Sequence, residues 1–166
     1  MILRSITFAG GLAGAAGLSQ FPEYSQQYVQ RLGGAVSELS KVVEDFDNSA
    51  AAEGLSREAA LAEMTGSDFV ERRRADMERT FTRFDTLSAD LATLREAGPF
   101  MRAYHASRVD GEIAQEAWED FKPALPLSIE GGVFAGTGFF VGLGIVGLLL
   151  WVLRESFELV WRRKPA

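Results

Sequence analysis

The chain is 166 residues long, 47% hydrophobic and 24% charged, with a net charge of −6 and no cysteine. Its length suits one modest domain plus anchors, and the lack of cysteine removes disulfide, thiolate-metal and cysteine-nucleophile chemistry. The charge is uneven: residues 19–130 hold 21 acidic against 12 basic side chains, net −9, while the flanks are net +3, and so acidic a middle argues against nucleic acid as a partner.

Residues 1–18 carry one charge, Arg4, followed by a run of small and apolar residues. Two readings fit. A cleaved signal peptide would use Arg4 as its basic region and the Ala/Gly-rich end as its cleavage site. A transmembrane helix over 2–21 would be short, but Arg4 can snorkel and Phe21 can extend it. The retained helix is taken here, because Gly10, Gly14 and Gly17 give it a small-residue face of the kind that lets membrane helices approach closely. The glycines are not a dinucleotide-binding turn: Ala9 stands where the first glycine of G-x-G-x-x-G is needed, and no strand–helix–strand unit follows.

Pro22 ends this span or opens the next helix. Tyr28, Leu32, Ala35, Leu39, Val42 and Phe46 then recur at heptad spacing, which predicts a packed helical seam. Gly33 and Gly34 weaken it, by about 1 kcal/mol each relative to alanine, or admit a close neighbour. The seam is expected to break at Asp47-Asn48-Ser49. Ser56 is a candidate cap for a short helix. Ser67 can cap a long one over 68–97, with Val70, Met77, Phe81, Phe84, Leu87, Leu91 and Leu94 on one face and Gly98-Pro99 as its stop. The two long helices are expected to pair as an antiparallel hairpin. Ser107 with Asp110 resembles a capping box for a helix to Lys122 that would bury Ile113, Ala117, Trp118 and Phe121. Pro123 and Pro126 make an extended link, and Ser128 or Pro126 can open the last helix.

The uncharged stretch 131–153 contains 23 residues, about 34 Å as a helix, enough to cross a hydrocarbon core of about 30 Å. Gly132–Gly136 and Gly138–Gly142 are small-xxx-small pairs that predict a helix–helix contact, with the N-terminal span as one partner. Trp151, Trp161, Arg162 and Arg163 suit interface anchors, and the helix is expected to run beyond Arg154 into the basic tail 154–166. Basic flanks face the cytoplasm by the positive-inside rule, which would put the acidic domain 22–130 outside.

No catalytic constellation emerges. In the run Arg72-Arg73-Arg74, Arg72 has Asp68 and Asp76 four positions away and Arg74 has Glu78, so a salt-bridged face is the expected reading. His105 is the sole histidine and cannot make a zinc site alone. Asp45 and Asp47 lack the glycine and distal glutamate of a calcium loop. No cofactor and no metal is expected, and neither span carries an ionisable residue at depth.

The stretch Phe21-Pro22-Glu23-Tyr24-Ser25-Gln26-Gln27-Tyr28-Val29-Gln30-Arg31-Leu32-Gly33-Gly34-Ala35 and the later Val133-Phe134-Ala135-Gly136-Thr137-Gly138-Phe139 resemble a bacterial family, the domain of unknown function numbered 2937. The resemblance covers essentially the whole chain and implies a small inner-membrane protein with no assigned activity, so no catalytic residue carries over. The expectation is therefore an all-α inner-membrane protein with two transmembrane helices flanking a helical-hairpin domain. It would be non-catalytic, an accessory or scaffold subunit associating with other membrane-protein subunits or with itself. The alternative is a homo-oligomeric pore or transport component, lined by Thr137, Ser5 and Thr7.

Overall fold

The computed structural model describes residues 1–105, 108–124 and 127–162, the last six as backbone only. Every element among them is an α-helix: α1 (Ile2–Leu18), α2 (Phe21–Ala52), α3 (Arg57–Glu63), α4 (Asp68–Glu96), α5 (Pro99–Tyr104), α6 (Gly111–Glu119) and α7 (Ile129–Arg162). Two compact units result, Met1–Ser25 with Lys122–Ala166, and Gln26–Phe121. The middle unit is thus narrower than the 22–130 read from the sequence.

In the unit of the two chain ends, α1 has 17 residues, about 26 Å. Ser19 keeps right-handed helical angles at its C-cap, and Tyr24 N–H donates to the Gln20 carbonyl at 2.9 Å. The chain therefore passes into α2 with a one-turn irregularity rather than a break. Gln20 ties the link before α7 to the unit of the two chain ends. Its amide donates to the Ala124 carbonyl and accepts from the Ala124 N–H, both at 3.1 Å, which holds the link before α7 against the end of α1. Ser128 opens α7, accepting from Gly131 N–H at 3.0 Å. The other candidate opener, Pro126, lies outside the described residues.

The middle unit has an aliphatic and aromatic core of Tyr28, Val29, Leu32, Val43, Ala50, Phe81, Leu87, Leu91, Leu94, Ile113 and Ala117. On α2 the predicted seam holds at Tyr28 and Leu32, with Ala35, Leu39 and Phe46 half-buried. It fails at Val42, which is 44% exposed while Val43 is 5% exposed. A straight helix repeats every 3.6 residues, so a 3.5-residue pattern drifts about 20° per heptad, and two heptads past Tyr28 the next residue faces the core. The predicted break at Asp47-Asn48-Ser49 does not occur: α2 continues to Ala52, because Ala50 is still buried and Ser49 turns its hydroxyl to the Asp45 carbonyl at 2.8 Å.

Ser56 and Ser67 cap α3 and α4, accepting from Ala59 N–H at 3.2 Å and Val70 N–H at 3.3 Å. The Phe46 ring meets Phe81 edge-on at 5.2 Å, while Gly33 lies beside Arg95 and Leu91. Later residues of α2 therefore meet earlier residues of α4. Arg57 joins this cluster: its guanidinium lies 4.6 Å from the Phe81 ring centre and grips Asp47 with two bonds, 2.7 and 2.5 Å. The Arg57 hydrogen bond holds the Asp47 carboxyl below its ordinary range.

Gly98 and Pro99 end α4 as expected, but Pro99 at once starts the short α5, whose Arg102 donates to the Leu94 carbonyl at 3.0 Å. For α6 the cap is Asp110, which accepts from Glu112 and Ile113 N–H at 3.1 and 3.0 Å; Ser107 lies outside the described residues. This helix ends at Glu119, short of Lys122. Ile113 and Ala117 are buried, but Trp118 is 67% exposed, stacked on Phe121 at 5.9 Å. Tyr28 and Arg31 hold α6 to α2: the Tyr28 hydroxyl accepts from Asp110 N–H at 2.9 Å, and Arg31 pairs with Glu116 at 2.9 Å and with Asp120.

Candidate membrane-spanning pair

Two helical stretches, Ile2–Ala52 and Ile129–Ser156, are long and apolar enough to cross a membrane. Only 11% and 6% of their apolar windows are buried within the chain, whereas a soluble core helix would bury most of its length. Outward-facing residues include Phe8, Leu12, Phe140, Ile145, Leu148 and Leu149, a surface that suits acyl chains.

What joins α1 to α7 is backbone approach at glycine. A methyl group placed on Gly14 would collide with the Gly138 carbonyl and lie 3.2 Å from the Gly142 Cα. One on Gly138 would collide with the Gly14 carbonyl, and one on Gly142 with the Gly10 carbonyl. Gly10 in turn faces Val146. Gly10 meeting Gly142 while Gly14 meets Gly138 makes the two helices antiparallel. Aromatic contacts flank the glycines, with Phe8 edge-on to Phe139 at 5.6 Å and Phe21 against Phe134 at 5.0 Å.

Of the seven glycines singled out from the sequence, these four come together. Gly17, Gly132 and Gly136 do not: a methyl on any of them meets nothing within 4 Å among the described residues. On α7 the contact returns every four residues from Gly138, which leaves Gly132 and Gly136 turned away. Sequence reasoning missed Gly11, where a methyl would lie 2.8 Å from the Phe139 ring; the Gly10-Gly11 doublet was the available signal. It also missed the Gln20 clamp, for which a lone glutamine gives no signal.

Trp151 is 61% exposed on α7, near the end of its charge-free stretch. Trp161 and Arg162 fall within α7, but their side chains, and Arg163 entirely, lie outside the described residues.

In the middle unit several charged groups pair within or between helices. A concavity of about 590 Å³ is bordered by Glu78, Arg79, Arg83 and Asp110. Asp110 caps α6, Arg83 pairs with Glu112 at 2.9 Å, Arg79 pairs with Asp76, and Glu78 faces Arg74 at 3.8 Å. The expected pairing of Arg72 differs: Asp76 bonds Arg73 and Arg79 instead, three residues away on either side. Asp47 serves Arg57 rather than an ion, and His105 ends α5 with its ring edge-on to Tyr104 at 5.3 Å. Among the described residues no three His, Asp or Glu side chains gather as a metal site would need.

The model of the family described as Protein of unknown function (DUF2937) matches residues 2–158. No curated protein and no solved structure matches the chain.

Proposed function

We propose, for a chain that belongs to the DUF2937 family, a non-catalytic role in the bacterial inner membrane: an accessory or scaffold subunit in which α1 and α7 form a self-contained two-span anchor for the acidic helical body between them. The observation that carries this reading is the glycine interlock. Gly10 and Gly14 lie against Gly142 and Gly138, so the spans recognise each other and need no partner to pack. The small residues left over, Gly132 and Gly136, stand on the outer face of α7 and are the contact offered to other subunits or to a second copy.

Orientation follows from the same geometry. Antiparallel spans bring the start of α1 and the end of α7 to one side, and Arg4 and Arg154 line one groove there. The positive-inside rule assigns that side to the cytoplasm, with the acidic helical-hairpin domain in the periplasm. The hairpin draws support from the reversed contact order of α2 and α4, Phe46 with Phe81 and Gly33 with Arg95. A pore reading has less support. Thr7 and Thr137 turn their hydroxyls to the Leu3 and Val133 carbonyls of their own helices, each at 2.9 Å, which leaves little polar lining; ion flux in reconstituted vesicles is expected to stay at background.

The test is mild detergent extraction of the tagged full chain, with native-gel mass and protein identification on one band. A band shared with other membrane subunits, and lost on Gly136→Leu while insertion survives, is the expected result. A band holding only this chain, at a small multiple of 18.1 kDa, would replace the accessory-subunit reading with self-assembly.

A further inference from the structure

A groove of about 440 Å³ runs between α1 and α7 at the end where Arg4 and Arg154 lie, within the ~300–1,000 Å³ common for ligand sites. Its apolar part is lined by Thr7, Leu143, Gly147 and Leu150. Gly147 makes the space: with no side chain there, the nearest atom a methyl would meet is the Thr7 methyl, at 3.9 Å. Thr7 adds no free polarity, because its hydroxyl already donates to the Leu3 carbonyl. By helix rise Arg154 lies about 10 Å along the axis from Gly147, and Arg4 is within one turn of Thr7. Trp151 lines the same groove. The result is an apolar slot bordered toward one end by Arg4, Arg154 and Trp151.

We infer that this groove binds one anionic phospholipid of the cytoplasmic leaflet, with an acyl chain in the slot beside Gly147 and the phosphate between Arg4 and Arg154. Guanidinium matches phosphate with two parallel hydrogen bonds, basic pockets between spans select anionic headgroups, and tryptophan sits at headgroup depth. A soluble phosphate would use the arginines but not the slot, and a neutral lipid would use the slot but not the arginines. The inference rests on the reading that α1 and α7 span the bilayer.

The test uses the full-length protein in mild detergent, with native mass spectrometry against phosphatidylglycerol and phosphatidylcholine of the same acyl chains. Phosphatidylglycerol is expected to be retained about 30-fold better, the preference two arginines at a charged surface would give. Arg4→Gln with Arg154→Gln should lower it to the phosphatidylcholine level. Gly147→Leu should expel both lipids with the arginines intact, and it touches none of the Gly10, Gly14, Gly138 or Gly142 contacts. Circular dichroism melts of each variant separate loss of lipid from loss of fold. Equal retention of the two lipids, a preference that survives the double substitution, lipid held by Gly147→Leu, or displacement by millimolar inorganic phosphate would each overturn the proposal. Carbonate extraction of membranes is run in parallel. Carbonate-resistant protein without lipid preference sinks the lipid site alone, whereas release by carbonate sinks the spanning reading as well.

Discussion

The two units of this molecule hold helices together by opposite means. In Gln26–Phe121, large side chains do it: Leu32 is fully buried and Phe81 takes the Phe46 ring edge-on and the Arg57 guanidinium over its face, joining three helices. Between α1 and α7 it is the absence of side chains that counts, since Gly10, Gly14, Gly138 and Gly142 let backbone meet backbone. On the proposal that α1 and α7 span a bilayer, the contrast follows from solvent. In water, burying apolar surface stabilises by about 25 cal/mol per Å², so bulk is favoured. In lipid that driving force between helices vanishes, and close van der Waals approach takes over.

The contrast breaks most sharply with substitutions that remove or add bulk. Leu32→Ala is expected to destabilise the middle unit by about 2–5 kcal/mol, seen as a lower denaturant midpoint, with the α1–α7 pair unaffected; no shift would mean that Leu32 does not anchor that core. Adding bulk should do the reverse damage in the other unit. Gly14→Ala gains up to about 1 kcal/mol of helix propensity but pushes a methyl into the Gly138 carbonyl. A net loss of about 1–3 kcal/mol is expected on SDS titration of the reconstituted protein. Gly17→Ala, with open space around it, should be neutral or stabilising. Equal effects at 14 and 17 would remove the interlock from the account.

The smallest effect sharpens the comparison through pH. Asp47 is held below its ordinary value chiefly by the Arg57 hydrogen bond. Its contribution is therefore complete above the unfolded carboxyl value of about 3.9 and is lost as pH falls through the lower folded value. Both side chains are partly exposed, at 31% and 41%, so solvent screening keeps the effect slight. Asp47→Asn should flatten the acid limb of the middle unit's stability curve below about pH 4. An unchanged limb would assign it to other carboxylates.

Features set by neighbours within a turn or two could be read directly from the residues. The Ser56 and Ser67 caps, the buried stripe Phe81, Leu87, Leu91 and Leu94, and the two long apolar stretches each depend on local hydrogen bonding or on periodicity. Where phase accumulates, the reading slipped: Val43 replaces Val42 because the helix stays straight instead of supercoiling. Trp118 is expected in the core of a helix running to Lys122, yet α6 ends at Glu119 and its ring is exposed.

By itself, then, the sequence determined helix type, most helix ends, and the presence of two stretches fit for a bilayer, because propensity, capping and hydropathy act along the chain. Only the tertiary structure decided which glycines meet, that Gln20 clamps Ala124, and that Arg4 and Arg154 share a groove. A glycine has no side chain with which to announce a face, and partners more than a hundred residues apart are chosen by shape across space rather than by spacing along the chain.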